Sequence, residues 1–334
     1  PSEERSMSDA PRLTRRAALA AGLGIAGLSL TSMVQLSRRP GPPDPSRRGA
    51  DPTAPPTGGG SARRPLRLGW SPWADAEVIS LMAKQLIETH LDWPVERVLA
   101  DIGIQYASVA RGDLDLMLMA WLPLTHQDYW KRVRERVLDL GPMYSGRLGW
   151  VVPDYVDPQV LSSIQDLRQP SVAARFNNKV QGIDPGSGLN QLSQVALKDY
   201  GLGDMRLVAS SSAAMTAVLD QAIREQRWLI VTSWTPHWMF ARYKLRFLED
   251  PKRAFGGTEW IHAVGRRDLS AIAPSVTDFL TRFRIPDAEL AAVLLQAHQG
   301  TAQTAVDTYL QSHPERVRYW VTGEIDSRGG ATDR

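Results

Sequence analysis

The chain has 334 residues, 43% of them hydrophobic, enough to bury a full core in one large or two medium domains, which excludes a disordered protein. A net charge of +3 and a pI near 9.2 invite a nucleic-acid partner, but the excess is local. Ten of the 39 Lys and Arg and five of the 36 Asp and Glu fall in residues 1–64, so the remainder carries −2 and no nucleic-acid partner is expected.

Residues 1–34 read as an export signal or an N-terminal anchor. In "RLTRRAALAAGLGIAGLSL", Arg12, Arg15 and Arg16 precede an apolar run that begins at Ala17, the layout of a charged n-region and an h-region. The pair Arg15-Arg16 after Thr14 resembles a twin-arginine signal, and Met7 is a candidate start. The chain has no cysteine, hence no disulfide framework and no cysteine-linked lipid anchor. Residues 35–65, with "RRPGPPDPSRRGADPTAPPTGGG", read as a disordered Pro/Gly/Arg-rich linker with nothing to bury.

The ordered part begins at Leu66. "LRLGW" is a short apolar strand, and "AEVISLMAKQLIETHL" spaces Val78, Leu81, Met82, Leu86 and Ile87 along one helical face. "YASVARGDLDLMLMAWLP" adds a helix, a Gly-Asp turn and a buried strand running into Trp121. The pattern restarts in "NKVQGIDPGSGLNQLSQVALKDYGL" as strand, glycine-rich loop and helix. It repeats in "SSSAAMTAVLDQAIREQRWLIVTSWTPHW" as serine cap, helix, strand and aromatic loop. Strands alternating with helices predict an α/β fold with mostly parallel sheets. Two such units imply two lobes: 66–155, completed by the helical stretch 268–325, and 156–267, with 326–334 as a tail.

Three strand ends each deliver an indole to the expected cleft, where open α/β sheets bind ligands: Trp234 in "SWTPHWMF", Trp121 in "LMLMAWLP", and Trp73 or its neighbour Trp70 in "LGWSPWADAE". An indole face attracts a cation without demanding a hydrogen bond, so three of them suit a quaternary ammonium. The loop "QGIDPGSGLNQL" offers free amides to an anion, yet it lacks the spacing and the Lys-Ser/Thr ending of a phosphate loop. A small carboxylate fits it better, held by the amides of Gly182 and Ile183 with an imidazole as an extra donor. Asp75 reads as an exposed helix-capping residue, with an approach to the cation as the alternative. Trp93, Trp130, Trp150, Trp228, Trp260 and Trp320 are assigned to packing, and Ser210, Ser211 and Ser212 to a helix start rather than a nucleophile cluster. No metal-ligand spacing occurs, and no cofactor is expected.

The segments "AWLPLTH", "GIDPGSG", "SSSAAMTA", "SWTPHWMFARYKLRFLEDPK" and "LGWVVPDY" resemble the substrate-binding proteins of osmoprotectant ABC importers that carry glycine betaine and proline betaine. The resemblance covers about Leu66 to Gly323 and implies a two-lobed periplasmic-binding-protein fold of the type II kind. It implies a cage of Trp121, Trp234 and Trp73 (or Trp70) around the trimethylammonium group. The carboxylate would rest on the amides of Gly182 and Ile183 and on His126 of "AWLPLTH". His237 is a lesser candidate, with Trp238 a brace for the loop of Trp234. The implied protein is not an enzyme. It would work as a monomer outside the cytoplasmic membrane, periplasmic or tethered, delivering a betaine to a membrane permease with its ATPase. Choline or carnitine binding within the same family, and an enzyme acting on a quaternary amine through His126 or His237, are the alternatives. No catalytic triad can be assembled from these motifs.

Overall fold

The computed structural model describes residues 63–325, so the signal, most of the linker and the tail lie outside the described residues. Nine strands are described: β1 (Leu66–Trp70), β2 (Val95–Leu99), β3 (Leu116–Leu122), β4 (Val137–Pro153), β5 (Lys179–Gln181), β6 (Arg206–Val208), β7 (Val231–Thr235), β8 (Leu245–Phe247) and β9 (Glu259–Arg266). They join in the order β2-β1-β3-β9-β4-β7-β5-β6, with β8 on β4.

The parallel pairing expected from the sequence is present at both ends of this mixed sheet. β1 runs parallel to β2 and β3, and β5 runs parallel to β6 and β7. Between the two parallel groups stand antiparallel strands. β4 is long enough at 17 residues to serve both lobes: Val137 to Gly146 pair with β9, and Arg147 to Val151 pair with β7. β9 pairs with β3 from Leu116↔Gly265 to Leu122↔Trp260, so it belongs to the first sheet, although the sequence reading counted 259–267 with the second lobe. The cause is long-range: β9 must cover the open edge of the wholly buried β3, and nothing local in "EWIHAVGR" announces that partner.

Helices fill the connections: α1 (Ala74–His90), α2 (Ile102–Arg111), α3 (Gln127–Val133), α4 (Pro170–Ala174), α5 (Gly188–Asp199), α6 (Ser212–Arg224) and α7 (Met239–Arg242). The C-terminal run supplies α8 (Leu269–Ile272), α9 (Pro274–Arg282), α10 (Asp287–Gln299), α11 (Ala302–Ser312) and α12 (Pro314–Thr322), of which α10, α11 and α12 pack on α1. α2 ends at Gly112, whose φ of 79° is the left-handed closing residue that glycine adopts without strain. α6 begins at Ser211, whose side chain accepts from the Ala214 amide at 3.1 Å, so the serine run is a helix start.

The first lobe is pinned at its entrance by Asp115, a fully buried carboxylate. It accepts from Arg64 at 2.8 and 3.0 Å, from the Arg67 amide at 2.8 Å and from Arg266 at 3.2 Å. Burial opposes its charge, but these donors outweigh burial and hold its pKa below the ordinary carboxylate value. Of the tryptophans assigned to packing, Trp150 and Trp320 are fully buried, whereas Trp260 is 51% exposed because it opens β9 at the rim of the sheet.

Candidate ligand-binding site

Trp121 and Trp234 occupy matching positions near the ends of β3 and β7, and each is followed two residues later by a proline in a cis peptide. Trp73 is the residue that opens α1. All three line one pocket between the lobes, together with Asp75, Thr125, His126, Leu148, Ile183, Ser187, Gly188 and Leu189. The space there not filled by protein atoms, counting what opens to solvent, is about 290 Å3.

The two neighbouring tryptophans differ in position. Trp73 faces the pocket, while Trp70 lies outside it beneath the guanidinium of Arg97, 3.9 Å from the ring centroid. Trp70 sits on β1 in register with Leu99 of β2.

Two indole–carboxylate hydrogen bonds cross the cleft in opposite directions. Trp73 of the first lobe donates its Nε1–H to Asp184 of the second at 2.7 Å, and Trp234 of the second donates to Asp75 of the first at 3.1 Å. Asp75, expected at an exposed helix start, is therefore a wall of the site: 1% exposed and also accepting from the Tyr144 hydroxyl at 2.8 Å. Burial raises its pKa to about 6 against hydrogen bonds from Tyr144, the Asp75 amide, Trp234 and the Ala76 amide, which favour the charge. The signal for its burial was present in the sequence. Asp75, Ile79, Met82 and Leu86 are spaced i, i+4, i+7, i+11 and share the buried stripe of α1.

His126 lines the same pocket and is 1% exposed. Its Nδ1 accepts from the Trp121 amide at 3.1 Å, and an amide can only donate, so the proton sits on Nε2. Burial lowers the imidazole to about 3, so it is a neutral donor at physiological pH. The loop that carries it is tied to β9, where buried Glu259 accepts from the Thr125 amide at 3.0 Å and from the Thr125 hydroxyl.

The glycine-rich loop contributes differently from the expectation. The Gly182 amide donates to Val208 O at 2.8 Å, because the β5–β6 ladder continues one residue past β5, so it is spent within the protein. Ile183 lines the pocket and its amide has no hydrogen-bond partner among the described residues. The first turn of α5 adds the amides of Gly188 and Leu189, which no residue of the helix can accept from. With Ile183 they line the pocket, whereas Gly182, expected beside Ile183, does not. His237 is also outside the pocket. Its Nδ1 accepts from the Met239 amide at 3.2 Å, and its ring meets Trp234 edge-on at 4.7 Å, so it braces the cage from behind.

The pocket thus combines indole faces and a buried carboxylate with neutral N–H donors. A small zwitterion with a diffuse cation at one end and a carboxylate at the other matches both. Among the described residues no cluster of His, Cys, Asp and Glu could hold a metal ion, and no helix is long and apolar enough to cross a membrane.

A model of the substrate-binding domain of ABC-type glycine betaine transport systems matches residues 64–312. Over 152 residues the chain is 37% identical to the glycine betaine/carnitine transport binding protein GbuC of Listeria monocytogenes. That stretch is 45% of this chain and spans about half, 51%, of GbuC. Lactococcal OpuAC, solved closed and complexed with glycine betaine, superposes with a TM-score of 0.73 at 32% identity, covering 78% of this chain and 100% of that one. The glycine/betaine/L-proline-binding protein ProX of Borrelia burgdorferi gives a TM-score of 0.73 at 29% identity, covering 77% of this chain and 97% of its own.

Proposed function

Because the chain belongs to the family of substrate-binding domains of ABC-type glycine betaine transport systems, we propose that it captures glycine betaine, or a close betaine, between its lobes and delivers it to a membrane permease driven by an ATPase. The observation that carries this reading is the make-up of the pocket: Trp73, Trp121, Trp234 and Asp75 line it together with His126, whose proton is on Nε2, and with Ile183, Gly188 and Leu189. The ligand's trimethylammonium group lies among the indoles, where each ring contributes ~0.5–2 kcal/mol depending on desolvation. Its carboxylate takes the donors. Neutral His126 suits that task because its tautomer is fixed by the Trp121 amide and no charge has to be buried with it.

The protein acts by binding and release, without chemistry on the ligand, and the lobes 66–155 with 268–325 and 156–267 close on it, β9 counting with the first. It is exported through the twin-arginine segment and works outside the cytoplasmic membrane as a monomer. A calorimetric panel of glycine betaine, proline betaine, carnitine, choline and proline tests the reading. Tight binding of the betaines is expected. Binding of proline alone, or turnover of any quaternary amine seen by NMR, would overturn it.

A further inference from the structure

Behind His126 stands a tyrosine that does not line the pocket. Tyr106 lies on the buried stripe of α2 with Ile102, Gln105 and Val109, the i, i+3, i+4, i+7 spacing of one helix face, and is 1% exposed. Its hydroxyl is 3.3 Å from His126 Nδ1, and its ring meets the imidazole edge-on at 5.6 Å and stacks on Tyr129 at 5.6 Å. Nδ1 already accepts from the Trp121 amide, so in this contact the hydroxyl is the donor. Burial, with Asp139, Glu259 and Tyr129 nearby, raises the phenol well above its ordinary value and keeps it protonated. Among the described residues Nδ1 is the one hydrogen-bond partner of this hydroxyl, which would otherwise be a buried donor without an acceptor.

We infer that Tyr106 is a positioning residue for carboxylate recognition: together with the Trp121 amide it holds His126 as the Nε2–H tautomer and so reserves that proton for the ligand. The inference rests on the betaine reading and deepens it. An imidazole with a single donor on Nδ1 can turn, or move its proton to Nδ1, beside the Met119 carbonyl, a neighbour that favours the charged ring against the larger effect of burial. Either change takes the Nε2–H away from the carboxylate. With two donors converging on Nδ1, that nitrogen cannot carry a proton without breaking both bonds. Tyr129 belongs to the same ring cluster, but its hydroxyl goes to Gly186 O and Gln191 across the cleft, so it serves closure where Tyr106 serves the anion.

Tyr106→Phe keeps the ring and deletes the hydroxyl. Nitrogen-15 NMR of histidine-labelled protein, with His126 assigned by its absence in His126→Ala, should show a protonated Nε2 and an unprotonated, hydrogen-bonded Nδ1 in the wild-type chain. In Tyr106→Phe the Nδ1 resonance should move toward that of a nitrogen accepting fewer bonds. Calorimetry should show glycine betaine binding weakened about three- to tenfold, the worth of one net hydrogen bond, and choline bound as by the wild type. A merely structural Tyr106 would instead lower the melting temperature and weaken both ligands equally. That pattern, an unmoved Nδ1 resonance in Tyr106→Phe, or a proton on Nδ1 in the wild-type chain would overturn the inference, and the last needs no variant to fold. Failure of the wild-type chain to bind any betaine would remove the betaine reading, while the Nδ1 resonance of the unliganded protein would still decide whether Tyr106 donates to His126.

Discussion

At the scale of residues, the two ends of the pocket should be separable by mutation. Trp121→Ala or Trp234→Ala removes both the cation–π attraction and the apolar contact, so each should weaken every trimethylammonium ligand by about 1–3 kcal/mol. His126→Ala leaves the indoles in place and deletes one hydrogen bond to a charged group, about 1.5–3 kcal/mol, only for ligands that carry a carboxylate. Calorimetry with betaine and choline on the three proteins checks the pattern, and equal losses for both ligands in His126→Ala would remove His126 from the carboxylate end. The gathering of Trp73, Trp121, Trp234 and His126 in one pocket was legible in the sequence, the indoles because they lie at or just past strand ends and His126 because the resemblance of "AWLPLTH" implied it. Asp75 was not, although its helical spacing put it on the buried face, because a carboxylate at a helix start ordinarily caps in water and its burial here depends on Trp234 and Tyr144, 159 and 69 residues away. Gly182 was misjudged for the same kind of reason: whether its amide is free depends on how far β6 extends, and "RLV" does not say.

At the scale of elements, two glycines hold the site open for its own parts. A Cβ on Gly146, where β4 passes from β9 to β7, would lie 2.4 Å from the ring of Trp121 and 2.5 Å from Thr235 O. A Cβ on Gly188, at the start of α5, would lie 2.4 Å from the Thr125 side chain and 2.6 Å from Thr125 O. Both are below any real contact, and in each case backbone is among the obstacles. The consequences differ. Gly146 is within one continuous strand, so Gly146→Ala should lower the melting temperature as well as the affinity. Gly188 and Thr125 come from opposite lobes, so Gly188→Ala should fold normally and lose betaine affinity by more than tenfold, because closure stops short of the donors on the His126 wall. Melting curves beside binding isotherms distinguish the two, and wild-type affinity in Gly188→Ala would show that the lobes need not approach this closely. Alternating strands and helices were readable in the chain because apolar period and turn residues are local. The place of β9 was not, since an antiparallel strand that returns across some 140 residues to β3 is set by the edge it covers.

At the scale of the whole molecule, the proposed export through the twin-arginine segment has a direct test. Replacing Arg15 and Arg16 together with Lys should leave the protein in the cytoplasm, and normal export of that variant in a fractionation experiment would argue for another route. Stability against pH follows from three buried groups. His126 and His237 are lowered to about 3 from an unfolded value of ~6.5, so between those limits the unfolded chain binds more protons and stability is lost as pH falls. Asp75, raised to about 6, works in the opposite sense between ~3.9 and 6, where the folded state holds the extra proton. Two histidines against one carboxylate leave a net loss of about 1.4 kcal/mol per pH unit on acidification from pH 6 to 4.5. Urea titrations of the unliganded protein should show that slope, roughly doubled in Asp75→Asn, and a flat profile would mean the imidazoles are not buried neutral. Closure itself is the last expectation. Besides the reciprocal pair Trp73–Asp184 and Trp234–Asp75, the Tyr129 hydroxyl of α3 donates to Gly186 O at 2.9 Å and accepts from Gln191 of α5 at 2.8 Å. All of these bonds exist only when the lobes meet, and the ligand adds contacts to both walls at once, so binding must shift the population toward the closed form. Solution scattering should show a smaller radius of gyration at saturating glycine betaine. Tyr129→Phe loses both latch bonds while touching neither end of the ligand, so it should weaken affinity by about 0.5–1.5 kcal/mol per bond for betaine and choline alike. An unchanged radius at saturation would count against a hinge, and a Tyr129→Phe loss confined to carboxylate ligands would place Tyr129 in the anion site instead of the latch.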